Sequence, residues 1–213
     1  MNGTYYINDY CRICNGMVKV NDKVLYRSHT PDPAAFYIEV YKETAINYPK
    51  FYKMDNLCKL GFLASELLLR DKQLNSRYAG DDIGLVLYNA SSSLETDNNH
   101  QLSIQDRSSY FPSPSVFVYT LANIVIGEIC IRNKFYGEGT FFVDEAFDAE
   151  RMYRYVNLLL YENHVLCCIA GWIEQHGSNY DGILYLIEKT NADPGGIAIF
   201  EPQNLTQLYL QRN

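Results

Sequence analysis

Val116 to Ile131 is a run of 16 residues with a single charge, Glu128. No other stretch limits the fold as much. The run is too short to cross a bilayer, so a helix apolar on nearly every side has to be buried in protein. The residues after it complete a unit. Gly137 to Val143 holds Thr140, Phe141, Phe142 and Val143, all of which favour a strand. Asp144 to Tyr161 places Met152, Tyr155, Val156, Leu159 and Leu160 on one face at amphipathic-helix spacing. His164 to Gly171 is a further apolar strand. A strand that turns into a helix is where many folds present a nucleophile, because the helix's first N–H groups can hold an anion.

The stretch resembles the β-ketoacyl synthases, the condensing enzymes of fatty-acid and polyketide synthesis. That family shows a Pro-rich turn, Asn-x3-Gly in the buried helix, then Gly-Pro. Thr-Ala-Cys follows at the elbow, then a helix and a strand ending in Gly-Gly-Ala-Glu. Here Pro112 and Pro114 precede Asn123 and Gly127, and Gly137-Glu138 stands at the Gly-Pro pair. Gly171-Trp172-Ile173-Glu174 stands at the last motif, and no gap is needed between them. Asp181-Gly182-Ile183-Leu184 is similar to the family's Asp-Gly-Ala-Gly strand. The likeness covers most of residues 50–190 and is densest over 112–188.

The resemblance implies the thiolase-like fold. That is an α/β architecture, a mixed, mostly parallel sheet with helices on both faces, here as the N-terminal half of a condensing enzyme. It further implies that the buried helix and the elbow helix share one middle layer. It also implies that Phe141, Phe142 and Val143 lie at a subunit interface, where the family pairs this strand with its mate.

The register decides what chemistry is left. Nine residues on from Gly137 the nucleophile position falls on Ala146, in the triplet Glu145-Ala146-Phe147. No cysteine lies within ten residues on either side. A methyl group cannot attack a thioester. Asp144, Glu145, Asp148 and Glu150 crowd the same turn; they suit a helix dipole but would oppose a thiolate or an oxyanion. In the full fold a second half supplies histidines and a lysine, and the 213 residues correspond to the first half.

The expectation is therefore a chain that is not an enzyme. The leading reading is an assembly or chain-length-factor-like partner in fatty-acid or polyketide-type biosynthesis, acting as a homodimer or as a heteromer with a ketosynthase-like protein. A second reading is an acyl-chain or carrier-protein binding module at Ala146 and Phe147; the carboxylates there oppose an acidic carrier. A third is an unrelated enzyme on the same scaffold. It would use the Ser91–Ser93 turn with His100, or Asp144 and Glu145, but paired acids at a helix start are mostly caps.

The rest of the chain sets bounds. A net charge of −7 with no basic cluster argues against nucleic acid. No run reaches membrane-spanning length, and the opening residues lack the charged start and apolar core of an export signal, so the cytoplasm is expected. Cys11-x-x-Cys14 has no second pair to complete a metal site, and the six cysteines are expected to be reduced and structural, with no metal or cofactor. His29 has no ligand companion. Strands are expected at Thr4–Asp9, Asp82–Tyr88, Gly182–Glu188 and Ile197–Phe200, with helices at Ala35–Tyr41 and Lys53–Arg70. Connections are expected over 20–50 outside the short helix, over Asn89–Tyr110, at Asp193–Gly196 and in the tail. One domain spans 1–213.

Overall fold

The computed structural model describes residues 4–106, 108, 112–189 and 196–211. The chain opens with three strands, Tyr5–Cys14 (β1), Met17–Val20 (β2) and Lys23–Arg27 (β3). Asn15 and Gly16 turn β1 into β2 at φ values of 51° and 69°. An Asn-Gly pair in that conformation makes a tight hairpin turn whose twist matches the strands. Helices Pro33–Glu43 (α1) and Asn56–Leu69 (α2) follow, then the short Leu74–Arg77 (α3) and strand Ile83–Asn89 (β4). Asp32 and Asp55 cap α1 and α2 by accepting from their first backbone N–H groups. Next come Leu94–Ile104 (α4), Pro114–Val118 (α5), Ile124–Asn133 (α6), Gly139–Val143 (β5) and Ala149–Tyr161 (α7). Cys167–His176 (β6), Asn179–Lys189 (β7), Ala198–Ile199 (β8) and Pro202–Leu210 (α8) complete the chain.

The strands form one mixed sheet in the order β3-β2-β1-β7-β6-β4-β5, with β8 also on β1. Among the described residues, parallel pairing is confined to β5-β4-β6. The other pairs are antiparallel, which corrects the expectation of a mostly parallel sheet. The cause is local: β6 and β7, like β1, β2 and β3, are joined by turns too short for a crossover. Strand β4 is buried at every position between β5 and β6, as its unbroken apolar run implies.

Helices cover both faces and define two cores. Side chains of α1, α2 and α6 pack on one face of the sheet. Those of α7 and α8 pack on the other. The expected single helix over 116–131 is instead two helices, α5 and α6, separated at Tyr119–Asn123. Ser93 donates its hydroxyl to the Thr120 carbonyl at 2.7 Å, and Tyr119 donates to Glu128 at 3.1 Å, which fixes the break. Only one side of α6 is buried, through Val125, Ile126, Glu128 and Ile129. The apolar run is thus not wrapped all round, and α6 does not share a layer with α7.

Several connections carry more order than the sequence suggests. Residues 20–50 contain β3 and the longer α1, the polar stretch after Asn89 contains α4, and the tail forms α8. Residues 193–195, where the sequence predicts a turn, lie outside the described residues.

Candidate functional site

Strand β5 does not turn directly into a helix. Asp144–Asp148 forms a connection, and α7 starts only at Ala149, five residues later than the helix expected from Asp144. Asp148 is the N-cap, its carboxylate accepting from the Arg151 N–H at 3.0 Å. Asp144 pairs with the Arg151 guanidinium, whose carbon lies 5.6 Å from the Phe142 ring centre. Two of the four carboxylates are therefore held by Arg151, while Glu145 and Glu150 face outward.

Glu145, Ala146 and Phe147 all line an open groove of about 1130 Å³. Its opposite wall is α8, through Pro202, Gln203, Thr206, Gln207 and Leu210. Helix α8 is the part of the site that sequence reasoning does not find. A signal for it exists in Pro202 at the first turn and in Leu205 and Leu208, three residues apart and both buried. Phe147 stacks on Tyr209 at 4.0 Å and meets Trp172 edge-on at 6.5 Å. Behind Tyr209 lies Arg12, fully buried, paired with Asp181 and donating to the Gly182 carbonyl at 2.8 Å. Tyr209 in turn donates to Asp181 at 2.8 Å. The side chain next to Ala146 is thus built into the core.

Among the described residues, no cysteine lines the groove. Five of the six cysteines are buried and Cys130 is half-buried. Burial holds the thiols of Cys11, Cys58, Cys167 and Cys168 well above their usual range, so they stay protonated. Cys11 points into the first core and Cys14 sits at the end of β1, both buried. Among the described residues, no group of three or more His, Cys, Asp or Glu side chains is placed to hold a metal. No helix among them is long and apolar enough to cross a membrane.

The serine turn is structural. Asn89 and Ser92 exchange hydrogen bonds of 2.8 and 3.0 Å, and Ser93 serves Thr120. His100 lies against Phe117, its ring 5.4 Å away, and its buried Nδ1 has no hydrogen-bond partner among the described residues. Glu174, at the end of the Gly-Gly-Ala-Glu-like motif, accepts from the backbone N–H groups of Ala90 at 2.7 Å and Ser91 at 3.1 Å. That carboxylate holds the turn after β4 against β6. Nearby, Glu95 accepts from Asn56, Gln175 and the Gly177 N–H, and Tyr37 donates to Gln175 at 2.6 Å. This network ties α1, α2 and α4 to β6, and no sequence spacing announces it.

The predicted interface residues part company in space. Phe141 packs against the first core. Phe142 lies under α7, 4.9 Å from both Tyr88 and Tyr155. Only Val143 is open, at 53% exposure, on an edge strand that pairs with β4 alone among the described residues.

No family model matches the chain, and no curated protein matches it. Solved structures do share its fold. The ishigamide ketosynthase/chain length factor aligns with a TM-score of 0.65 at 16% identity, covering 89% of this chain and 63% of that one. The structure of a ketosynthase (ApeO) in complex with its chain length factor (ApeC) from Xenorhabdus doucetiae aligns at 0.61 and 13% identity. That alignment covers 98% of this chain and 91% of the other, so the two are of similar length. A β-ketoacyl synthase from Burkholderia phymatum STM815 aligns at 0.57 and 10% identity over 93% of this chain and 62% of its own. The chain therefore spans less than two thirds of the ishigamide and Burkholderia chains. Its fold is the thiolase-like fold of ketosynthases and chain length factors.

Proposed function

We propose that this chain is a non-catalytic partner of a ketosynthase, similar in role to a chain length factor. The observation that carries the reading is the groove at Ala146. By the sequence register it takes the place of the condensing enzymes' nucleophile; no thiol lines it among the described residues, and its carboxylates would disfavour both a thiolate and the oxyanion of a condensation. Two of the similar structures are described as ketosynthases with chain length factors, which supports a heteromer over a lone enzyme. In this reading residues 1–213 act as one domain, and β5 with Phe141, Phe142 and Val143 forms the edge that meets the partner.

Co-expression with a full-length ketosynthase from the same organism tests the reading. The two chains should co-purify, and the synthase should change its product or lose activity without its partner. The isolated chain should neither condense nor decarboxylate malonyl thioesters. Turnover by the isolated chain, or a synthase indifferent to it, would overturn the proposal.

The acyl-binding alternative is less well supported. Phe147 is stacked on Tyr209 and backed by Trp172, where an acyl tail would need open space.

A further inference from the structure

The turn between β1 and β2 combines a reactive pair of residues with a contact that restrains it. The chain carries two Asn-Gly pairs, Asn2-Gly3 and Asn15-Gly16, and the second forms this turn. Asn-Gly is especially prone to deamidation, because the glycine has no side chain to shield its nitrogen from the asparagine amide. In that reaction the Gly16 nitrogen attacks Cγ of Asn15, a succinimide ring closes, and ammonia leaves. Water then opens the ring at either carbonyl, giving aspartate or isoaspartate. Asn15 is exposed, so water reaches it.

The attacking nitrogen is the atom that the structure holds back. Gly16 donates its N–H to the Tyr180 hydroxyl at 2.7 Å, and its carbonyl accepts from the Ser28 N–H at 2.8 Å. Cys14 and Met17 pair directly across the turn, which leaves the loop no slack. Ring closure rotates the Gly16 peptide towards Asn15 and has to break these bonds. Tyr180 is itself fixed, stacked on Phe36 at 5.4 Å and edge-on to Tyr37 at 5.5 Å. Asn15 also lines a pocket of about 400 Å³ together with Glu174 and Asp181. Deamidation would add a like charge to that pocket, and isoaspartate would add a backbone carbon to a two-residue turn.

We propose that Asn15 is a latent modification site. It stays an amide while Tyr180 holds the Gly16 N–H; once that clasp opens, it deamidates and loosens the β1–β2 hairpin. The site acts within this chain alone, whether or not a ketosynthase binds it.

Peptide mapping of the full chain, aged in mildly alkaline buffer, tests the proposal, with isoaspartate detected by methyltransferase labelling. In the folded wild type Asn15 should remain an amide long after the urea-unfolded chain has lost it. Tyr180→Phe keeps the ring packing and removes one hydrogen bond, so Asn15 should deamidate ~5-fold faster, the equivalent of ~1 kcal/mol. Hydrogen exchange at the Gly16 N–H needs no variant and should be slow in the wild type. The deamidated chain, separated by ion exchange, should melt below the wild type. Equal amide loss in folded and unfolded chains, an unprotected Gly16 N–H, or no acceleration in a folded Tyr180→Phe would overturn the clasp. A deamidated chain that melts like the wild type would overturn its effect on the hairpin.

Discussion

Phe147 and Tyr209 are parallel, their ring centres 4.0 Å apart and their planes 11° apart. The pair clamps α8 to the residue beside Ala146, so the groove depends on the C-terminal helix for its shape. Offset-stacked aromatic pairs contribute ~0.5–1.5 kcal/mol beyond their buried area. Phe147→Leu and Tyr209→Leu should therefore couple by about that amount in a double-mutant cycle of urea unfolding. Tyr209→Phe keeps the stack and loses the bond to Asp181, for a cost of ~1 kcal/mol. Additive single losses would show that the rings are merely adjacent.

Two motif glycines should respond in opposite directions. Gly127 lies inside α6 with nothing within 4 Å of where a methyl would sit, so alanine there gains helix propensity without a clash. Gly127→Ala should stabilise the isolated chain by ~0.5–1 kcal/mol. Gly171 faces β7, where a methyl would run into the Ile183 carbonyl and come within 2.9 Å of the Leu184 Cα. The obstacle is backbone in a central strand pair, which cannot move aside alone. Gly171→Ala should cost ~3 kcal/mol or more and lower the melting temperature by ~6 °C or more. A melting scan of both variants checks the pair, and a shared sign would refute the packing argument.

How much of this is legible in the sequence depends on where order comes from. Apolar periodicity marks α2, β4, α7, β6 and β7 because their burial is written into side-chain type. The hairpins of β1, β2 and β3 escape notice although Asn15-Gly16 signals the first turn; β3 is an exposed edge, so no apolar face marks it. Helix α4 is polar along most of its length, and only Thr96 is buried, so its helical state comes from tertiary bonds such as Gln175 to Glu95. The 116–131 run misleads because composition shows an apolar segment but not that Ser93 captures the Thr120 carbonyl. At the site, the register locates Ala146 and Phe147, but the wall opposite them comes from α8, far along the chain.

Asp55 makes stability depend on pH. It caps α2 through the Cys58 N–H at 2.8 Å and accepts from Thr96 at 2.7 Å. Burial nonetheless dominates and raises its carboxyl above the ordinary value of 3.8. A folded-state value above the unfolded one means that the folded chain binds the extra proton. Its stabilising contribution is complete below pH 3.8 and is lost as pH rises through the raised folded value. Asp55→Asn keeps a capping oxygen but does not ionise. Urea midpoints measured from about pH 4 upward should therefore shift in favour of the variant as pH rises. Parallel curves for the two proteins would remove Asp55 as the source.

The last prediction concerns β5. It is an edge strand with β4 on one side and, among the described residues, no strand on the other. Edge strands with apolar side chains and no covering element pair readily with another chain. The expectation that Phe142 itself makes the contact has to be refined, because its ring packs beneath α7 between Tyr88 and Tyr155. Phe142→Asp should unfold the chain locally rather than report on assembly. Val143 is the side chain that tests the edge, since it is 53% exposed and does not belong to either core. Val143→Lys places a charge on the open edge at little cost to the monomer, as natural edge strands do. Wild type should form dimers or heteromers at micromolar concentration by sedimentation velocity, and Val143→Lys should weaken them by ~10-fold, or ~1.4 kcal/mol. Its circular dichroism and melting temperature should match wild type, whereas those of Phe142→Asp should not. A wild-type chain that stays a 24.5 kDa monomer, alone and with a ketosynthase, would sink the β5 interface.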